Sequence, residues 1–513
     1  MKPTSVEYES LEVTEIERSS LRRVCDDISI DMFLVAVAEL AERFTYRSIT
    51  APMQNYIQNS RGDPSHPGAL GMGQTIATGI NYFFVGWCYL APIMMAIVAD
   101  SFLGRFKTIA LGTGFSVCGV LILFITSLPV SLEHGAGMPG LMAALILVGL
   151  GTGSIKSNVA PLIAEQYAGR SERVKELPSG ELVVVDPNIT IQTIYARYFW
   201  FWLELKVGFW AAFMLPLCFW TLAIIALLAG RNRYVTQPPH GSTITKAMRI
   251  LWIGIKNGGN LDAARPSSFG KVEVEWDDKF VDELRRALMA CRVFPLYWIC
   301  NGQANGNLVS QAASMKTHGI PNDMLGFFNP LTILIAIPLF ESFVYPTLRR
   351  FNIPFKPISR ITAGFFVVAC AIAYAAGLQE LFPSDTHQQI SVFFQVPIYS
   401  MIGLSELLAM LSGMEYAYTK APQSMRSIIM SLFLLTGAVG SSLGITLSPV
   451  SVNPKIFIEY VSLSATMFVT AIVFFFCFRK YNRIEEGMNM LVKEDSSRDS
   501  WYTEDTGSSL EKQ

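Results

Sequence analysis

Charge is what this sequence has least of. Aspartate, glutamate, lysine and arginine make up 16% of its 513 residues, where soluble proteins carry about a quarter, so a soluble domain of this length is excluded. The formal net charge is −1, which excludes nucleic-acid binding driven by bulk charge. No apolar run stands near the start: Met1 to Asp31 is polar and mixed in charge, unlike a cleavable signal, so the first membrane span is expected to direct insertion itself. Metal-binding cysteine spacing is missing too. None of the eight cysteines forms a CxxC pair, and Cys88, Cys118, Cys218, Cys370 and Cys477 sit inside apolar stretches, where they act as small apolar side chains. No nucleophile, metal or phosphate-cradling motif stands out, and Glu39-x-x-Glu42 has no histidine partner. Neither an enzyme nor a cofactor is expected.

What the sequence has instead is apolar blocks. A bilayer-crossing helix takes about 20 residues at ~1.5 Å each, and runs of this kind lie near 32–52, 76–99, 107–128, 140–163, 190–203, 208–229, 293–312, 325–348, 360–381, 391–415, 426–447 and 456–478. The reading is about twelve spans. Lys and Arg set the orientation: one side carries Arg22 and Arg23, Arg105 and Lys107, Arg170 and Arg173, Arg231 and Arg233, Arg349 and Arg350, Lys420 and Arg426, Arg479 and Lys480, the other only Arg61, Lys206, Lys316 and Lys455. Both termini and the central loop are therefore expected on the cytoplasmic side. The chain divides into a tail over 1–30, a helix bundle over 31–229, a linker over 230–291, a second bundle over 292–478 and a tail over 479–513. An all-α integral membrane protein with two bundles of about six helices is the layout of the major facilitator architecture.

Two places depart from that regularity. Residues 190–229 must hold two spans and their connection, with Glu204 and Lys206 between them, so either the fifth span or the sixth is short. Within the linker, Thr245 to Asn257 has apolar residues at helical spacing opposite basic ones. It reads as a helix lying on the cytoplasmic membrane surface or, equally, as an ordinary connector helix.

Ionisable groups inside spans cost several kcal/mol and single out the candidate site. Glu39, Glu42 and Arg43 in AELAERFTY share one helix face. Glu39 can pair with Arg43, which leaves Glu42 for a proton or a cation; a helix-end ion cluster that only orients the span is the plainer alternative. Lys156 stands in GTGSIKSN among Gly149, Gly151, Gly153 and Ser154, small residues that let helices approach closely, and either faces the interior or snorkels to a headgroup. Glu406 is a lone acid in IGLSELLAML. A base in one bundle and an acid in the other suit a solute with separated carboxylate and ammonium, and protonation of a membrane acid would free a partner and switch the open face. Weaker candidates are Asn329-Pro330, which offers an amide and a backbone break or marks helix entry alone, and the aromatics Tyr46, Tyr89 and Trp298, which line the cavity or, equally, pack or face lipid. Asp100, Gly104, Arg105 and Lys107 form a latch between two helices or a positive-inside anchor.

Several motifs carry a resemblance. ExxERFxY at 39–46 resembles the first-helix motif of the proton-dependent oligopeptide transporter family, and GTGSIKSNVAPLIAEQY at 151–167 its fourth-helix signature in fungal form. EYAYTKAP at 415–422 and FFNP at 327–330 are similar to its tenth- and eighth-helix segments, and KNGGNLDAARPS, VSQAASMKTHGIPND and KPISRITAGFF match further. The resemblance covers about Leu21 to Tyr481 and is closest to fungal di- and tripeptide transporters. It implies proton-coupled peptide symport at the plasma membrane by a monomer. It further implies that Glu39, Glu42 and Arg43 couple protons, and that Lys156 pairs with Glu406 when no substrate is bound. Glu406 and Asn329 would hold the peptide amino end, Arg43 and Lys156 its carboxylate, and Tyr46, Tyr89 and Trp298 its side chains.

The departures are specific. Arg47-Ser48 replaces the family's Tyr-Gly, and Trp202-Leu203-Glu204 runs almost directly to Gly208-Phe209-Trp210, without the family's Ile-Asn-x-Gly stretch. The loop at 380–389 is short, and CNGQANGN at 300–307 lacks the acid of animal members. A transport-defective paralogue or nutrient sensor, or a carrier of another small nitrogenous solute, are the alternatives.

Overall fold

The computed structural model describes residues 22–24, 30–62, 67–167, 173–176, 182–185, 208–230, 243–269, 276–291, 294–351, 355–381, 390–414 and 426–478. Among them, eight helical stretches are long and apolar enough to cross a bilayer, and the shorter apolar helix Phe213–Ala229 adds another. The first span, α1 (Ile30–Gln58), is long enough but carries Asp31, Glu39, Glu42, Arg43 and Arg47. It runs further than its apolar block because Met53, Tyr56 and Ile57, at helical spacing, are buried. The expected fifth span near 190–203, with its shortening, lies outside the described residues, as does most of the short loop at 380–389.

The chain falls into two compact units. The first comprises Met1–Cys291, Asn305–Ser310 and Gln423–Pro449, the second Arg292–Ala304, Gln311–Pro422 and Val450–Gln513. In the first, α1 is followed by α2 (Gln74–Val98), α3 (Arg105–Thr126), α4 (Gly137–Tyr167) and α5 (Gly208–Gly230). A π-turn over Ala99–Leu103 extends α2, and Gly104, at φ 77°, reverses the chain into α3. That conformation suits only glycine at low cost. Small residues set the spacing of α3 and α4: a Cβ on Gly151 would strike Ser116, and one on Gly153 the Ala91–Pro92 backbone of α2. Without a hydrophobic drive in lipid, such close backbone approach is what holds spans together. The core below is closed by Tyr56, Phe84, Phe213 and Trp220.

Three short strands lie outside the spans: β1 (Arg22–Val24), β2 (Arg173–Glu176) and β3 (Leu182–Val185), with β3 parallel to β1 and antiparallel to β2. The sequence reading had no place for them. Three or four residues are too few for a period-2 pattern to emerge, and the partner of β1 is far along the chain.

The linker folds onto the first unit. Its helices α6 (Thr243–Lys256) and α7 (Asp278–Cys291) bury Ile244, Ala247, Ile250, Val281 and Leu284 together with Ile93 of α2 and Leu432. Arg265 bridges Asp262 (2.7 Å) and Asp282, and Arg285 also holds Asp262. Hydrogen bonds from Arg285 and Arg265 hold the Asp262 carboxyl below the usual aspartate range. A carboxylate depressed in the folded state adds stability above its unfolded pKa, and that contribution is lost only as pH falls through the lower folded value. Hydrogen exchange over residues 261–285, corrected for intrinsic rate, is therefore expected to stay flat from about pH 7 to pH 5 and to rise only below about 4. A rise already at mildly acidic pH would contradict this.

The second unit contains α8 (Phe294–Gly302), α9 (Asn307–Ala313), whose residues 307–310 fall in the first, α10 (Phe328–Leu339), α11 (Tyr345–Arg350), α12 (Pro357–Glu380) and α13 (Val396–Ser405). Next comes α14 (Arg426–Leu447), which belongs to the first unit, and then α15 (Lys455–Phe478). The seventh apolar block is not one helix: a 3-10 turn at Gln303–Asn305 parts α8 from α9. The Asn329–Pro330 step does not break the eighth span either. A 3-10 turn over Met324–Phe327 leads into α10, so Pro330 falls in the first turn, where its missing N–H leaves no helical bond unmade. The irregularity comes later, as a π-turn over Phe340–Val344. Phe365 packs in the core of this unit against Tyr297 at a tilt and against Phe474 edge to face.

Candidate functional site

The ionisable residues of α1 form one contact group. The Arg43 guanidinium reaches Glu39 Oε1 at 3.4 Å and Glu42 Oε2 at 3.5 Å. Glu39 does not take Arg43 for itself, as the spacing suggested. The adjacent Glu42 carboxylate meets Nε while the residue one turn back meets Nη2, because a guanidinium is a fork with donors on several edges. Environment separates the two acids: the Glu39 side chain is 27% exposed and that of Glu42 1%. Neither Glu42 oxygen has a hydrogen-bond partner. Glu42 is thus a buried carboxyl with two neighbouring cations, Arg43 in contact with it and Lys156 interacting with its charge.

One turn beyond, Tyr46 joins Tyr89 of α2 and Lys156 of α4. Lys156 Nζ lies 5.0 Å from the Tyr46 ring centroid and 5.4 Å from that of Tyr89. Tyr46 stacks on Phe84, and Gly437 of α14 abuts the Tyr89 ring, where a Cβ would meet it at 2.9 Å. The two aromatic faces steady an ammonium without neutralising it, so its charge stays available to an anion.

In the second unit Asn329 and Glu406 come together. Asn329 Nδ2 donates to Glu406 Oε1 at 2.9 Å, and the Asn329 amide oxygen, on a residue 5% exposed, has no hydrogen-bond partner. A carboxylate beside an amide carbonyl is an acceptor set suited to an ammonium. Glu406 opens a π-turn, Glu406–Leu411, of the kind frequent at functional sites. Trp298 of the same unit is 5% exposed and meets Tyr297 edge to face.

Reading ionisable groups alone missed a buried polar network. Gln54 Nε2 donates to Ser310 Oγ (3.0 Å), Asn81 Nδ2 to Gln54 Oε1 (2.6 Å) and Thr78 Oγ1 to Asn307 Oδ1 (3.1 Å). The network ties α1 and α2 to residues 307–310. Glu459 was missed as well: it is 3% exposed and accepts from Gln303 Nε2 at 3.0 Å. The signal was an acid inside the last apolar block. Amides at mid-span positions, such as Gln54, would have pointed to the first network.

Membrane spans with ionisable side chains buried in both units define a multi-pass carrier, not a structural anchor. The model of the POT family matches residues 106–463. The chain is 43% identical over 531 aligned positions to peptide transporter PTR_C of Candidozyma auris, covering 98% of this chain and 92% of that one. It is 42% identical over 509 positions to peptide transporter PTR2 of Saccharomyces cerevisiae, covering 94% and 84%. Among solved structures, that of the POT family transporter PepTSo aligns with a TM-score of 0.72 over 89% of this chain and 99% of that one, at 19% identity, which bears out the fold. The chain belongs to the POT family.

Proposed function

We propose that the protein carries di- and tripeptides together with protons across the plasma membrane by alternating access of its two bundles, 31–229 and 292–478, joined by the linker over 230–291. Both termini are cytoplasmic, the working unit is a monomer, and the proton gradient is the driving force, with no cofactor. The observation that carries this reading is the Glu42 carboxylate, buried and without a hydrogen-bond partner, beside Arg43. Glu39, Glu42 and Arg43 couple the proton, with Lys156 and Glu406 as further members of the relay. Arg43 and Lys156 attract the peptide carboxylate, Asn329 and Glu406 receive the amino end, and Tyr46, Tyr89 and Trp298 shape the side-chain pockets. The names of the relatives, peptide transporters in two fungi, support the substrate class.

The test is uptake of a labelled dipeptide by cells lacking their own peptide carriers. Accumulation above the outside concentration, rising as the outside is acidified and competed by other dipeptides, is expected. Absence of accumulation with the protein present at the surface would refute the reading. That outcome would favour a sensor that has lost transport, for which half-buried Arg47, next to Tyr46, is the specific reason.

A further inference from the structure

The linker helix α6 has two apolar sides, and only one is covered. Ile244, Ala247 and Ile250 are buried. Met248, Trp252 and Ile255, at spacings of four and three that place them on one side of a helix, are 49%, 60% and 68% exposed. Arg249 and Lys256 are exposed too, and Lys256 Nζ lies 5.4 Å from the Trp252 ring. A connector helix in water would present polar residues on its free side. Met248 also lines a shallow apolar crevice whose opposite wall is Ile93 of α2 with Leu432 and Leu435 of α14. The free stripe is thus continuous with the flanks of two membrane spans, where lipid is the neighbouring phase.

We propose that α6 is a lipid-binding element: Met248, Trp252 and Ile255 sink among the acyl chains of the linker-side leaflet, and Arg249 and Lys256 bind anionic phospholipid headgroups. Tryptophan favours the depth at which headgroups meet chains, and the two cations reach outward from it on flexible stems. Each basic residue at an anionic surface strengthens association about fivefold, equivalent to ~1 kcal/mol. The linker packs on α2 and α14 through the other side of α6, so lipid composition acts on the cytoplasmic ends of those spans in the topology proposed above.

The test uses the full-length protein in vesicles of phosphatidylcholine, with or without phosphatidylserine. Tryptophan emission of the wild type minus that of Trp252→Phe isolates Trp252. Brominated lipid chains are expected to quench this difference signal and aqueous iodide to leave it unchanged. Arg249→Gln with Lys256→Gln is expected to raise hydrogen exchange across residues 243–256 about fivefold per charge removed in phosphatidylserine vesicles, and to change nothing in phosphatidylcholine. Quenching by iodide but not by bromine would overturn the proposal. So would a signal that neither reaches, since protein, a second copy or a partner, would then cover the stripe. Bromine quenching with exchange indifferent to phosphatidylserine would overturn the headgroup assignment.

Discussion

Replacing Glu42 by glutamine is expected to abolish proton-driven accumulation of peptide while leaving counterflow, the exchange of labelled peptide outside for unlabelled peptide loaded inside, intact. The amide keeps the shape of the carboxylate and cannot take up a proton. In the native protein the Glu42 oxygens have no hydrogen-bond partner, and the Arg43 guanidinium lies 3.5 Å away. The Arg43 side chain is half exposed and keeps Glu39 as a partner, so the swap does not strand a buried guanidinium, and Glu42→Gln is expected to fold. The loss is therefore functional: the inside peptide concentration no longer rises above the outside one. Glu39→Gln serves as the internal comparison. Glu39 is more exposed, its protonated and ionised forms differ less in solvation, and a smaller loss is expected. Concentrative uptake by Glu42→Gln would end the proposed role.

Replacing Lys156 by glutamine is expected to raise the half-saturating peptide concentration about tenfold to a hundredfold, the range for loss of one charge-assisted hydrogen bond. Lys156 lies over the Tyr46 and Tyr89 rings, which hold the ammonium while leaving its N–H donors free to meet a carboxylate. Tyr46→Phe keeps the aromatic face and is expected to preserve affinity far better than Tyr46→Ala. Lys156→Arg keeps the charge but broadens it over a planar fork, and an intermediate value is expected. Peptides with an amidated C-terminus supply the check: they are expected to bind weakly to the wild type, and Lys156→Gln should not weaken them further. If amidated and free peptides lose affinity equally, Lys156 holds the helices and not the carboxylate.

The ionisable candidates were singled out by one argument, that an ionisable group in an apolar block calls for a reason. It pointed to Glu42, Lys156 and Glu406, and it ranked Asn329 low, although Asn329 donates to Glu406. The same argument passed over Gln54 and Asn81, because amides cost less to bury and blend into apolar windows. It assigned Arg43 to Glu39 by spacing, whereas the guanidinium serves both acids.

The sequence by itself determined that the chain is a multi-pass protein of apolar helices and which of those helices carry charge. Hydropathy is a sum over about 20 neighbouring residues, so everything it needs is local. Only the tertiary structure decided the partners. Ser310 meets Gln54 across 256 positions and Gln303 meets Glu459 across 156, and the 3-10 turn at Gln303–Asn305 splits a block that reads as one helix. Such pairings depend on which faces of distant helices pack and on the glycines that let them approach, and no window along the chain contains both sides of the contact.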